Sequence, residues 1–268
     1  MNKNYALITG ASQGLGRAFA RELASQKKNL ILVALANEGL KELANTLIQK
    51  YEIDVVCRET NFVEPNAVEE LAQWVNNRFN VDLLINNAGL GGTASFSETS
   101  VDYIDAIIQV NIRALSLLSR FLLSNLKRQQ QSYILNVASM ASFTPIPYKT
   151  VYPASKAFVY FFSRTLNEEL KGTNVFVSVL HPGPMKTNQR VTRHIEMQGW
   201  IGRMGLVPTE RLARMAIRQL YKHDSLIIPG VLNKINWLII KLIPIWLQLY
   251  LGARITRKEL NLESIAWK

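Results

Sequence analysis

Short apolar runs that alternate with longer stretches of helical periodicity constrain this chain more than any other feature of it. The runs are Tyr5–Thr9, Leu30–Ala34, Asp54–Arg58, Leu83–Asn86, Tyr133–Ala138, Val175–Leu180 and Leu226–Ile228, and several are apolar nearly throughout. Strands buried on both faces read this way, whereas a strand with one wet face alternates. Between the runs the spacing predicts helices near residues 15–27, 37–50, 65–79, 100–128, 153–171 and 208–222. Such alternation specifies an α/β fold: a doubly wound parallel sheet of about seven strands with helices on both faces. Sheets of this kind bind ligands beyond the carboxyl ends of their strands, so function is sought just after each run.

The 268 residues hold no linker-like tract and no internal repeat. Residues 1–230 therefore read as one domain and 231–268 as an apolar, basic C-terminal extension. Hydrophobic residues make up 48% and charged residues 19%, which excludes a disordered chain. Cys57 is the lone cysteine; it has no disulfide partner, and a reducing, cytoplasmic setting is expected. No secretory signal is expected, because Tyr5–Ile8 gives way at once to Thr9 and Gly10. The three histidines lack carboxylate or cysteine partners at ligand spacing, so no metal site is expected. The net charge of +11 is uneven: residues 1–189 hold 18 Lys/Arg against 15 Asp/Glu, and residues 190–268 hold 13 against 5. A basic final third suits anionic lipid or an acidic carrier. No nucleic-acid motif accompanies it, so a nucleic-acid partner is not expected.

The first run opens into Thr9-Gly10-Ala11-Ser12-Gln13-Gly14-Leu15-Gly16 and then a helix. Glycines permit the tight turn and let backbone N–H groups reach a phosphate at a helix N-terminus. Asn86-Asn87-Ala88-Gly89 follows the fourth run, and Asn111 lies in the long central helix. Ser139 follows the fifth run, Tyr152 and Lys156 come next, and Pro182, Gly183 and Thr187 follow the sixth. Tyr152 and Lys156 are four apart on a predicted helix and share a face. A free tyrosine titrates near 10, and a neighbouring ammonium favours the phenolate and lowers that value.

In these motifs and their order the chain resembles the short-chain dehydrogenase/reductase family through about residue 190, and the stretch from Ile134 to Phe162 resembles its 3-oxoacyl-thioester and 17β-hydroxysteroid branch. The resemblance implies a Rossmann-like fold and hydride transfer between a nicotinamide and a carbonyl or alcohol. It implies that Tyr152 is the general acid, that Ser139 orients the carbonyl oxygen, and that Lys156 binds the nicotinamide ribose. Asn111 would hold a proton-relay water. The cofactor residues implied are Gly10, Ser12, Gln13, Gly14, Leu15, Gly16, Asn61, Phe62, Asn87, Ala88, Gly89, Tyr152, Lys156, Pro182, Gly183 and Thr187.

Two positions depart from the family pattern. Leu35 stands where an arginine frequently closes the second strand, and no acid stands there either, so NADP(H) is favoured over NAD(H). Asn61 replaces a frequent aspartate near the adenine, and its amide can still make that bond. Met140, Phe143, Ile146 and Tyr148 should line the substrate mouth, with residues 189–205, including Met197, Trp200, Ile201 and Met204, as a lid. Arg190, Arg193 and Arg203 there suit the phosphates of an acyl carrier. An apolar ketone or carrier-linked acyl chain is the expected substrate. Alcohol oxidation by the same residues and a non-catalytic cofactor-binding scaffold are the alternatives, and a homo-oligomer is expected.

The stretch Lys234–Leu251 is the most apolar in the chain. Read as one helix, it places Lys234, Lys241 and Gln248 seven apart on a narrow polar stripe. Two readings stand for residues 233–258: a helix lying on an anionic membrane surface, which makes the protein peripheral, or one buried against another subunit.

Overall fold

The computed structural model describes residues 3–183 and 207–266, with side chains described as far as Arg257. Thr187 and the expected lid 189–205 lie outside the described residues. The strands are β1 Asn4–Thr9, β2 Asn29–Ala34, β3 Val55–Glu59, β4 Asn80–Asn86, β5 Ser132–Val137, β6 Val175–Leu180 and β7 Leu226–Ile227. They form one sheet in the order β3-β2-β1-β4-β5-β6-β7, parallel throughout. The chain winds outward from β1 in one direction and restarts at β4 in the other. This leaves a crevice between the carboxyl ends of β1 and β4, where Ile8 pairs with Ile85.

Side-chain alternation divides the core into two layers. Ala6 and Ile8 point to one face, packed with Phe19 and Leu23 of α1 (Gly14–Ser25) and Leu43 and Leu47 of α2 (Leu40–Tyr51). Leu7 points to the other face, among Leu71 and Val75 of α3 (Ala67–Asn76). Helix α4 (Val101–Ile108) runs through a π-helical turn, Gln109–Ala114, into α5 (Leu115–Lys127), whose Leu118 and Leu122 complete that second layer. Helix α6 (Val151–Glu169) closes the same side, and α7 (Thr209–Tyr221) adds Leu212, Ile217 and Leu220 to the first layer. Each fully buried leucine or phenylalanine here is worth about 2 kcal/mol.

The observed elements depart from the sequence reading for local reasons. Helix α2 begins at Leu40 rather than 37, because Asn37 and Gly39 hold φ of 62° and 69°. The expected single helix over 100–128 carries the π turn, which no hydrophobic period reveals. The expected single C-terminal helix is two, α8 (Val231–Leu242) and α9 (Ile245–Ala266). Pro244 lacks an N–H and holds Ile243 extended, at φ −82° and ψ 127°. The polar stripe is therefore broken. Gln248 turns back from α9 and donates Nε2 to the carbonyls of Ile240 (2.9 Å) and Ile243 (2.8 Å), satisfying the end of α8.

Candidate active site

At the mouth of the crevice, Gly10 and Gly14 take φ of 64° and 52°. A Cβ on Gly16 would lie 2.0 Å from the Gly10 carbonyl oxygen, so only glycine lets α1 start this close to β1. The Thr9 hydroxyl oxygen accepts the backbone N–H groups of Asn87 and Ala88, each at 3.0 Å. Asn87 Nδ2 donates back to the carbonyls of Thr9 (3.0 Å) and Gly10 (3.1 Å). The two loops are thus laced into one rigid floor. Gln13 precedes α1 without a side-chain cap, and the first turn of α1 holds no acid. The helix N-terminus is free to receive an anion, and a pyrophosphate fits there. Leu15 and Phe62 bury their side chains in the two core layers, leaving only backbone for a ligand. Asn61 holds its own turn, accepting from Val63 N–H (3.3 Å) and donating to Glu64 (3.2 Å).

The catalytic candidates come together on the adjoining rim. Lys156 is buried on α6 and donates Nζ to the Val137 carbonyl at 2.9 Å. Gly89 lies between it and Asn111: a Cβ there would sit 3.2 Å from Lys156 Nζ and 3.3 Å from Asn111 Oδ1. Asn111 projects from the π turn and grips Leu90 at both ends, accepting its N–H (2.8 Å) and donating to its carbonyl (2.9 Å). It also donates to Ser155 Oγ (2.9 Å), which bonds the Tyr152 carbonyl at 2.7 Å. The Tyr152 ring lies against Gly91, where a Cβ would come within 2.5 Å of Cδ2. Ser139 lies two residues past β5 and caps a 3-10 turn, Met140–Phe143, its Oγ accepting Ala141 N–H at 3.1 Å. Pro182 accepts Met140 N–H at 3.0 Å, which places Pro182 and Gly183 beside that turn.

Burial sets the proton affinities. Removal from water raises the Tyr152 phenol, and the hydroxyl of Ser139 pulls it partly back by hydrogen bonding. Burial lowers Lys156 to about 8. The expectation that the ammonium lowers the phenol is not met in this geometry. Lys156 Nζ sits 6.0 Å from the centre of the Tyr152 ring and is bound to Val137, so burial dominates.

The chain matches the short chain dehydrogenase family over residues 4–197. It belongs to that family. It is 30% identical to a very-long-chain 3-oxoacyl-CoA reductase of Anas platyrhynchos over 66% of this chain and 58% of the relative. It is 30% identical to an uncharacterized oxidoreductase of Staphylococcus epidermidis over 70% of this chain and 80% of the relative. The alignment thus spans under two thirds of the length of the reductases it matches. Among solved structures, one titled for 7beta-hydroxysteroid dehydrogenase stereoselectivity superposes with TM-score 0.81 at 24% identity, over 89% of this chain and 92% of the other. A short-chain dehydrogenase from Sphingobium yanoikuyae in complex with NADPH gives TM-score 0.75 at 25% identity, over 90% and 92%.

The structure of this short-chain dehydrogenase shows functional neighbours that its motifs did not. The Ser12 hydroxyl bonds the carboxylate of Glu38, so an acid does stand beside the glycine turn. The expectation of none there is corrected: Glu38 lies three residues past Leu35 and arrives through the left-handed turn at Asn37. Asn86, Ser119, Asn136 and Ser163 form a buried chain of hydrogen bonds, 2.8–3.0 Å, that pins β4, β5, α5 and α6 beneath the rim. Asparagines at the ends of otherwise apolar strands were the available signal.

His181, which sequence left without a role, is fully buried behind Ser139. Its Nδ1 lies 3.0 Å from the Ser139 carbonyl and 2.8 Å from Ser142 Oγ, and its ring stacks on Phe143 at 4.4 Å. Burial lowers its pKa to about 4 from 6.5. The unfolded chain therefore binds a proton that the folded protein refuses between these values. The stability involved is whole above pH 6.5 and is lost as pH falls toward 4, by about 3 kcal/mol. Thermal melts from pH 7 to 4 should show this loss in the parent and a flatter profile in His181→Gln. Parallel profiles would remove His181 as the acid-sensitive group.

Proposed function

We propose that this dehydrogenase reduces an apolar or lipid-like ketone, such as a 3-oxoacyl thioester or a steroid, with Tyr152 as general acid. The observation that carries the reading is the convergence of Ser139, Tyr152, Lys156 and Asn111 beside a rim of largely apolar side chains. That rim is Met140, Phe143, Ile146 and Tyr148, on the segment between the serine and the tyrosine. The relatives named as a 3-oxoacyl-CoA reductase and a hydroxysteroid dehydrogenase-like protein support the same substrate class. When bound, the reduced nicotinamide supplies the hydride. Tyr152 gives its proton to the oxygen that becomes alkoxide, and the raised phenol keeps that proton in place until charge develops. The Ser139 hydroxyl holds the same oxygen, since its Oγ is already oriented by Ala141 N–H. With the cofactor bound, Lys156 would hold the ribose hydroxyls, and Asn111 would hold the water that returns a proton to Tyr152. Gly10, Gly14 and Gly16 with the N-terminus of α1 would hold the pyrophosphate.

The same proposal favours NADP(H) over NAD(H) by a narrow margin. NADPH in a structural neighbour and the uncharged Leu35 support it. Glu38 narrows it, because its carboxylate would face a 2′-phosphate near Ser12. Glu38→Gln should raise the ratio of NADPH to NADH affinity about tenfold, the effect of removing one charge several ångströms away. Fluorescence titration with both cofactors measures this, and an unchanged ratio would place Glu38 outside the ribose subsite.

A homo-oligomer is part of the reading, supported by exposed Phe121, Phe158 and Phe161 on α5 and α6. An acyl-carrier contact through Arg190, Arg193 and Arg203 lies outside the described residues. The test of function is cofactor consumption with 3-oxoacyl thioesters, steroids and small diketones. The apolar ketones should lead in kcat/KM by at least about tenfold, the worth of a few buried methylenes. Turnover confined to small polar ketones would overturn the substrate assignment.

A further inference from the structure

Helices α8 and α9 carry their apolar side outward. On α8, Ile235, Leu238, Ile239 and Leu242 recur at helical spacing and are 47–84% exposed. The opposite stripe meets the domain: Asn233 is buried, and Trp237 packs edge-on to Phe143, ring centres 6.2 Å apart. On α9, Trp246, Leu249 and Tyr250 repeat the spacing and are exposed as well. A surface helix of a soluble domain turns such a stripe inward, and an exposed patch of this extent marks a surface that is covered in use.

The charges identify what covers it. From Ser225 to Lys258 the chain has no Asp or Glu and carries Lys234, Lys241, Arg254, Arg257 and Lys258. A second copy of this face would set basic groups against basic groups, since a two-fold interface pairs each patch with itself. An anionic lipid surface complements both the charge and the apolar stripe, with Trp246 and Tyr250 suited to the headgroup level. Neither helix is built to span. Helix α8 has 12 residues and ends at Leu242, two residues before Pro244, and α9 carries Arg254 and Arg257 mid-length. Among the described residues, the stretch long and apolar enough to cross a membrane is Val101–Lys127, part of the domain core.

The pair also borders the substrate mouth. Helix α8 packs on the Met140–Phe143 turn that follows Ser139. A Cβ on Gly252 of α9 would lie 3.2 Å from Pro147 Cδ, and Arg257 Nε donates to the Tyr148 hydroxyl at 3.0 Å. We propose that α8 and α9 dock this enzyme in the plane of an anionic bilayer surface, with the mouth at the lipid boundary. Only the direction of substrate entry rests on the apolar-ketone reading; the docking itself does not.

The test is co-sedimentation of the full chain with vesicles of phosphatidylcholine alone or mixed with phosphatidylglycerol, at low and high salt. Docking predicts at least about tenfold tighter binding to the mixed vesicles, given several basic groups at the surface, and weakening as salt rises. The double variant Leu242→Glu, Trp246→Glu should lose vesicle binding while its circular dichroism and its turnover of a water-soluble ketone stay at parent level. Arg254→Glu, which leaves the apolar stripe intact, should lower binding to the mixed vesicles alone. Equal affinity for both vesicles, no sedimentation at all, or undiminished binding by the double variant would each overturn the proposal. So would an oligomer that the double variant splits without any vesicle binding by the parent, since the face would then belong to a second copy. The readout needs no substrate, so its failure is distinct from failure of the ketone assignment.

Discussion

Tyr152→Phe should lower turnover at least about 100-fold while leaving cofactor affinity nearly unchanged, the range expected when a general acid is removed and little else. The ring's seat on Gly91 is kept by phenylalanine, so the fold should not move. Only the proton is lost. Steady-state kinetics paired with NADPH titration would separate the two effects. A variant with near-parent turnover would reject Tyr152 as the acid, and one that loses cofactor binding would recast it as a binding residue.

Lys156→Met should have effects of opposite sign on activity and stability. Lys156 is 5% exposed and its ammonium is held to a pKa of about 8, so at neutral pH the fold carries a buried charge against its preference. A group lowered from 10.5 to about 8 destabilises the fold in full below pH 8, and the penalty fades as pH rises toward 10.5. Methionine removes that penalty and leaves the Val137 carbonyl without its donor. The net gain near pH 7 is about 1–2 kcal/mol, a rise of a few degrees in melting temperature. Turnover should fall by at least about 100-fold, and NADPH should raise the melting temperature of the variant much less than that of the parent. The stability gap between the two should close above pH 8. A variant that melts below its parent at neutral pH would show that the lysine stabilises the fold.

The sheet and its helices were legible because strands buried on both faces leave nearly unbroken apolar runs, as Leu30–Ala34 does. Most of the site was legible too, because Gly16, Asn87, Ser139, Tyr152 and Lys156 stand at fixed places after strands or on one helix face. What sequence did not show depends on backbone direction or on distance in space. Glu38 reaches Ser12 only because Asn37 and Gly39 bend the chain in left-handed conformations. His181 gained its place from burial behind Ser139, a contact across 42 residues. The π turn that aims Asn111 leaves no trace in hydrophobic spacing. The single apolar helix drawn through Pro244 erred by weighing composition above the missing N–H, and the true break is what lets α9 fold back toward Tyr148.

In the proposed reaction, hydride passes from a nicotinamide to the carbonyl carbon of an apolar ketone, with Tyr152 closing the step by proton transfer. Its most direct measurement is label transfer: NADPH carrying deuterium at the transferable position is incubated with the enzyme and a 3-oxoacyl thioester or steroid ketone, and the product is read by mass spectrometry and NMR. The expected product is an alcohol with one deuterium on the carbinol carbon, on a single face, and almost none forms when Tyr152→Phe replaces the parent. Cofactor oxidation without labelled alcohol, or label appearing equally with the Phe variant, would contradict it.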